Sequence, residues 1–402
     1  MSSFFSSYNT KGNPNVFEDN TTPFGQFNTQ NYYQPYQQYQ LYQQYQQQPK
    51  KDRAEIPSLI AVGDPIVDII SEIGTDIIKK YNMKWGDTVF LDENNDNGVY
   101  KELESMPEVR YIPGGAVQNS IRVMAWCLNM DPNNKNKYKI TMMGCAGDDL
   151  YRKKVMNALS ELNVNILFQT LPGEKTSRCG VGIYRKERFL ITQLRASKKL
   201  SEEFIQENIQ QILSHDSIII EGYMLPNKLD LCKKLTESFV RENKFVILTL
   251  SAMFIVQYHG EKVLEIAHKA DMIVGNMGEV EILAGLKGAK PKDIFETLFR
   301  KLMPKENRIL VVTAGAQGSY CSRFDYKNNK LDFIFQYFAN KISNEDIVDL
   351  NGAGDSFFGG FLSEYVKGSP LYDCCRIGTE AASVILRNVG CTFPKHHKFD
   401  KI

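Results

Sequence analysis

The sequence predicts an α/β fold: a central, mostly parallel sheet flanked by helices, with a small second sheet forming a lid beside it. Three observations lead there. From residue 56 onward, short β-rich runs alternate with longer amphipathic stretches, as crossover connections between parallel strands require. Two segments, 69–112 and 170–195, break that rhythm with short runs that leave no room for a full crossover helix. No internal repeat divides the chain.

Taken in order, residues 1–55 come first and differ from the rest. Between Asn31 and Gln48, nine of eighteen residues are Gln and six are Tyr, and the first 49 residues carry only Lys11, Glu18 and Asp19 as charges. So few aliphatic groups cannot offset an ordering cost of ~1–2 kcal/mol per residue, which predicts a disordered extension. Such a tract also suits weak self-association.

Residues 56–402 form the folded domain. Buried strands are expected at Leu59–Val62, Lys139–Met143, Ser217–Ile220, Phe245–Leu250, Met272–Val274 and Ile309–Val312. Helices are expected at Gln118–Leu128, Tyr151–Leu162, Lys228–Glu242, Gly260–Ala270 and Lys292–Leu302, then at Gly354–Tyr365 and Asp373–Asn388. The small sheet takes Thr88–Leu91, Gly180–Tyr184 and Phe189–Thr192.

Charge and composition exclude several functions. With 48 Lys+Arg against 47 Asp+Glu, the formal net charge is +1, and no long basic block offers a nucleic-acid or anionic-membrane surface. No apolar run approaches the ~20 residues of a spanning helix, and the first 25 residues lack a secretory pattern, which places the protein in the cytoplasm or nucleus. The eight cysteines are scattered without C-x-x-C spacing and the five histidines make no H-E-x-x-H, so the thiols read as small buried groups.

Three motifs carry chemistry. Asp349-Leu-Asn351-Gly352-Ala353-Gly354-Asp355 runs into a helix, so its small residues let backbone amides converge where the helix presents its positive end. That is an anion hole suited to a transferring phosphoryl group, with Asp355 placed to accept a proton from an alcohol. An ordinary glycine-rich loop would read the same way. Pro113-Gly114-Gly115-Ala116-Val117-Gln118-Asn119 also opens a helix: its paired glycines admit a ligand close to the backbone, and Asn119 offers a donor and an acceptor. A plain N-cap loop is the alternative. Asn276-Met277-Gly278-Glu279 follows a strand directly, where a parallel sheet places ligands, and could hold the water shell of Mg²⁺ or be a simple turn. The P-loop, the dinucleotide G-x-G-x-x-G after the first strand, and the protein-kinase signatures are absent.

Together and in this order, these motifs resemble the ribokinase-like (PfkB) carbohydrate kinase family over Leu59 to Phe399. Gly114-Gly115-Ala-Val-Gln-Asn-Ser-Ile-Arg122, Leu250-Ser-Ala-Met-Phe-Ile255 and Gly390-Cys-Thr-Phe-Pro394 are most similar to its branch that phosphorylates adenosine. The resemblance implies a ribokinase-like fold and Mg²⁺- and ATP-dependent phosphorylation of the adenosine 5′-hydroxyl to AMP in purine salvage. Its alternatives are another nucleoside or sugar as acceptor, or a nucleoside-binding assembly protein with weakened catalysis.

The family's roles carry over by position. Asp355 would be the base and Gly352, Ala353 and Gly354 the phosphoryl cradle, with Arg188 closing from the lid. Asp68, Gly114, Gly115 and Asn119 would hold the ribose, while Cys179, Tyr223 and Phe254 would wall the purine. Thr313, Gly315, Asn351 and Asn276 would line the ATP groove, and Glu279, through water with Asn276, would serve Mg²⁺. Partners are then a nucleoside and ATP, with no nucleic acid and no membrane.

Five positions depart from the family: Asp64 for Asn, Leu350 for Thr, Met277 for an acidic residue, Ala116 for Ser and Arg195 for a small residue. An extra carboxylate at Asp64 is expected to raise the pKa of Asp68 or alter the sugar contacts.

Overall fold

The computed structural model describes residues 54–84, 88–92, 98–134, 136–184 and 187–399. The expected Gln/Tyr-rich extension, up to residue 53, lies outside the described residues. The chain enters through β1 (Ser58–Val62) and continues with β2 (Ile66–Glu72), α1 (Thr75–Lys80), β3 (Thr88–Phe90), α2 (Val99–Glu104) and β4 (Arg110–Gly114). Then come α3 (Ala116–Asn129), β5 (Lys139–Gly147), α4 (Leu150–Ser160), β6 (Asn165–Leu171), β7 (Ser177–Tyr184) and β8 (Glu187–Gln193). The middle of the chain holds α5 (Glu202–Glu207), α6 (Ile209–Leu213), β9 (Ser217–Glu221), α7 (Leu225–Arg241), β10 (Phe245–Thr249) and α8 (Met253–Ala267). It ends with β11 (Met272–Asn276), α9 (Met277–Ala284), α10 (Pro291–Lys301), β12 (Ile309–Thr313), β13 (Ser319–Asp325), β14 (Lys330–Tyr337), α11 (Ala353–Tyr365) and α12 (Leu371–Ile385).

Nine strands form the large sheet in the order β14-β13-β12-β11-β10-β9-β1-β5-β6. Pairing is parallel from β6 to β12, and an antiparallel hairpin, β13–β14, closes one edge. Alternate strand residues serve opposite faces. Ile60, Val62, Ile218, Ile220, Leu248 and Val312 join the core under α7–α10. Leu59, Ala61, Ile219, Ile247 and Val311 join the core under α3, α4, α11 and α12. Each strand is therefore apolar on both sides.

From β1 the chain winds one way through β5 and β6 and the other way through β9 to β12. The switch point is β1 beside β9, and a ligand crevice belongs at the carboxyl ends there. Over that edge sits the second sheet, β3-β8-β7-β2-β4. It begins at Ile66 and reaches Gly114, wider than the 69–112 expected. Thr170 and Leu171, expected in the lid, instead end β6 of the large sheet. The helix expected at Gly260 starts at Met253, because a non-helical residue, His259, kinks α8 and obscures its periodicity.

Two helices meet at unusually short range. A β-carbon on Gly359 would lie 2.3 Å from the Ser120 carbonyl oxygen and 3.0 Å from the Met124 nitrogen. Glycine thus lets α11 press on α3, and this contact sets the site described next. All eight cysteines are buried.

Candidate functional site

The site assembles from loops at strand carboxyl ends and from the first turns of α3 and α11. Gly115, at φ +87°, follows β4 and caps the start of α3; a β-carbon there would strike the Asp64 carbonyl oxygen at 2.7 Å. One turn later, Asn119 Nδ2 donates to Asp355 Oδ2 at 3.1 Å. Arg122, buried beneath, donates to the carbonyls of Pro113 (3.1 Å) and Cys391 (3.3 Å) and reaches Asn119 Oδ1 at 3.5 Å. Asn119 is thereby fixed with its donor toward the carboxylate. Gly352, at φ +75°, is the residue before α11, and Asp355 lies in that helix's first turn.

Two cavities meet at Asp355. The first, about 290 Å³, is lined by Asp68, Gly115, Asn119, Cys179 and Tyr223 together with Asn351-Gly352-Ala353-Gly354-Asp355. The second, about 130 Å³, is lined by Asn276, Glu279, Thr313, Gly354 and Asp355. Their common wall is Ala116, Ser251, Gly354 and Asp355. A groove of about 620 Å³ between α5–α6 and α7 is larger. It lies away from the strand carboxyl ends and from both glycine loops, so chemistry rather than size selects the site.

Burial dominates the electrostatics. It pushes the Asp355 carboxyl up to about 6, moderated by the Asn119 hydrogen bond. Asp68 rises to about 7 through burial and repulsion from Asp355 and Asp349, with Arg122 opposing. The expected perturbation of Asp68 by Asp64 is corrected here: Asp64 is not among the groups that shift Asp68, and it lies instead beside Glu221, whose carboxylate accepts the backbone N–H groups of Asp64 (3.1 Å) and Val117 (3.0 Å). Both of these acids are raised by burial, Glu221 also by Asp64, while Lys228 and Lys198 lower Asp64. Asp64 still lines the first cavity.

Asn276 and Glu279 form a capping box on α9: Glu279 Oε2 accepts the Asn276 N–H at 2.9 Å, and Asn276 Oδ1 accepts the Glu279 N–H at 3.0 Å. The same carboxylate is buried, faces the second cavity and is raised to about 7 by burial and by Asp355. Helix cap and cavity wall are one feature. No cluster of three or more His, Cys, Asp or Glu side chains suited to holding a metal occurs among the described residues.

Four of the expected residues lie off the cavity walls. Gly114 ends β4 with Asp68 packed against it, where a β-carbon would meet Oδ1 at 2.0 Å. Gly315 stands in the turn after β12 and lines neither cavity. Phe254 contacts rather than lines: its ring centroid is 6.0 Å from Tyr223 and 5.7 Å from Phe90 of the small sheet. Arg188 pairs with Asp349, whose carboxylate also accepts the N–H groups of Asn351 (2.8 Å) and Gly390 (3.0 Å). The small sheet is thus tied to the Asn351–Asp355 loop.

Sequence reasoning missed Glu221, Asp349 as the arginine's partner, Phe90 and Ser251. For Glu221 a signal existed, since Ser217-Ile-Ile-Ile-Glu221 ends a fully buried strand with an acid. The tie of Asp349 to Arg188 and that of Phe90 to Phe254 join segments distant in the chain, which no local pattern records.

Two hollows joined at one buried carboxylate, both at the carboxyl edge of a parallel sheet, are the layout of an α/β enzyme that brings two ligands together. Residues 79–398 match the pfkB family carbohydrate kinase pattern. The chain is 31% identical over 343 residues to the adenosine kinase of Dictyostelium discoideum, covering 84% of this chain and 96% of that protein. It is 28% identical to adenosine kinase 2 of Arabidopsis thaliana, covering 85% and 97%. Among solved structures, it resembles an Anopheles gambiae adenosine kinase in complex with P1,P4-di(adenosine-5) tetraphosphate, at TM-score 0.73 and 26% identity, covering 86% of this chain and 100% of that one. The apo adenosine kinase of Trypanosoma brucei brucei shares the fold at TM-score 0.74 and 24% identity, covering 84% and 100%. The chain belongs to the pfkB family of carbohydrate kinases.

Proposed function

We propose that this protein phosphorylates the 5′-hydroxyl of adenosine with ATP, giving AMP and ADP, a step of purine salvage. One observation carries the reading: Asp355 stands at the junction of the two cavities, at the amino end of α11, with Asn119 holding its carboxylate. The similarity to adenosine kinases over some 85% of the chain supports the substrate.

The nucleoside would occupy the first cavity, with Asp68 accepting hydrogen bonds from its two ribose hydroxyls and Asn119 and the Gly115 backbone beside them. Cys179 and Tyr223 would supply the apolar wall for a flat base, with Phe254 packed against Tyr223. Asp355, ionised, would accept the 5′-hydroxyl proton as the oxygen attacks the γ-phosphorus. The amides of Gly352, Ala353 and Gly354 would hold the charge on the transferring group. ATP would enter along Thr313, Gly315, Asn351 and Asn276. Arg188 would close over the phosphates with the small sheet and exclude water.

The second cavity suits a magnesium ion held through its water shell. Its walls put Asp355 close enough to the buried Glu279 carboxylate to raise it further beyond the effect of burial, and magnesium commonly uses one or two carboxylates plus substrate phosphates. When bound, the ion would neutralise phosphate charge; Glu279 and Asn276 would orient its waters.

The test is ATP consumption with adenosine, inosine, guanosine and ribose in parallel. Adenosine is expected to give the highest kcat/KM. A preference for ribose, or no turnover with any acceptor, defeats the reading.

A further inference from the structure

Ser251 follows β10 and stands in the wall common to both cavities. Its φ is +69°, a left-handed conformation that disfavours any residue with a β-carbon. The other non-glycine residues with positive φ among the described ones are six asparagines and one glutamate, and none of them lines either cavity.

The strain is held in place by its surroundings. The Leu250 carbonyl accepts the Ala252 N–H at 2.9 Å, closing a three-residue turn about Ser251 of the rare positive-φ kind. The Leu250 N–H is itself bonded to the Val274 carbonyl at 2.8 Å, so pairing with β11 fixes where the turn begins. Gly222 packs beneath, where a β-carbon would meet the Leu250 carbonyl oxygen at 2.7 Å. Glycine would make this turn without strain. What serine adds is a hydroxyl, 3.2 Å from Thr249 Oγ1 on the wall of the second cavity. That hydroxyl also donates a long hydrogen bond, 3.5 Å, to the Thr249 carbonyl oxygen, which a phosphoryl oxygen would replace. Strain kept at a cavity junction for the sake of one polar group suggests a use for that group.

We propose that Ser251 is a further substrate-contacting residue, its hydroxyl donating to an oxygen of the phosphoryl group as that group passes between the cavities. The inference rests on the phosphoryl-transfer reading above. In the step, the 5′-oxygen bonds to the γ-phosphorus, the bond from that phosphorus to the β–γ bridging oxygen breaks, and ADP leaves with the electron pair. The 5′-hydroxyl proton goes to Asp355. Ser251 supplies a hydrogen bond and keeps its own proton.

Two variants and two ligands test this. Ser251→Ala removes the hydroxyl and keeps the strain; Ser251→Gly removes both. Calorimetric titration with adenosine and with AMP, which places a phosphoryl group at the junction, is measured beside kcat. Both variants are expected to bind adenosine within about twofold of the parent, bind AMP ~10-fold more weakly, and lose ~10–100-fold in kcat. S251G should melt above S251A, because only glycine relaxes at positive φ. Parental AMP affinity and kcat in both variants would overturn the proposal, as would full recovery in S251G of what S251A loses, which assigns the effect to the backbone. A parent that binds AMP and adenosine without turning over would defeat the kinase reading alone; the AMP-selective loss would still support Ser251. A parent that binds neither defeats both.

Discussion

Asp355 is raised to about 6, and its proposed role requires the ionised form. The rate attributable to it should therefore fall as pH drops below that value and level off above it, a limb measurable in the pH profile of kcat/KM. Stability runs the other way. A carboxyl whose pKa is higher folded than unfolded adds no penalty below its unfolded value, near 4, and its full penalty above its folded one. Asp68, at about 7, therefore weighs against the fold increasingly from pH ~4 to pH ~7. Asp68→Asn should raise Tm more at pH 8 than at pH 5, and an equal shift at both would refute the assignment. Asp355→Asn should leave adenosine affinity within severalfold while cutting kcat by ~10² or more.

Gly354 makes a companion case. A β-carbon there would meet nothing within 4 Å, and the residue faces both cavities. Gly354→Ala should leave Tm unchanged or higher, since alanine favours a helix by ~1 kcal/mol over glycine, yet should lower kcat by filling space the phosphoryl group needs. Loss of stability without loss of rate would contradict this placement.

Among the helices, the decisive contact is α11 on α3. Gly359 meets backbone rather than a movable side chain, so Gly359→Ala must push the helices apart. We expect a destabilisation of ~1–3 kcal/mol and a fall in kcat larger than any change in adenosine affinity, because Asn119 and Asp355 ride on the two helices being separated. The tie between small sheet and glycine loop belongs to the same scale. Arg188 reaches Asp349, and Asp349 in turn holds the Asn351 and Gly390 amides. Phe90 against Phe254 makes a second bridge from the small sheet to the body.

For the molecule as a whole, the described contacts begin just after the Gln/Tyr-rich segment. Glu55 pairs with Lys137, and the Ile56 N–H donates to the Val366 carbonyl at 2.9 Å. A chain begun at Ala54 retains both. It should keep Tm and kcat within about twofold of the full chain's behaviour in rate and within a degree or two in melting; dependence of turnover on the removed segment would favour an assembly role. Among the described residues no helix is long and apolar enough to cross a membrane.

Local chemistry made the parallel sheet and the three glycine-bearing loops legible, because buried strands must be apolar and tight turns next to helix ends must be small. Ser217–Glu221 and Ile309–Thr313 announce themselves as strands, and Gly352–Asp355 as a helix entry, from neighbouring residues alone. Residues far apart in the chain are another matter. That Asn119 holds Asp355 depends on Gly359 letting two helices touch; that the Glu221 carboxylate takes the Asp64 N–H depends on β1 lying beside β9; that Ser251 is strained depends on Val274 holding Leu250. Backbone sterics and hydrophobic periodicity act over a few residues and can be read from a string, whereas carboxylate pairing, helix approach and stored strain exist only once the sheet has brought its strands together.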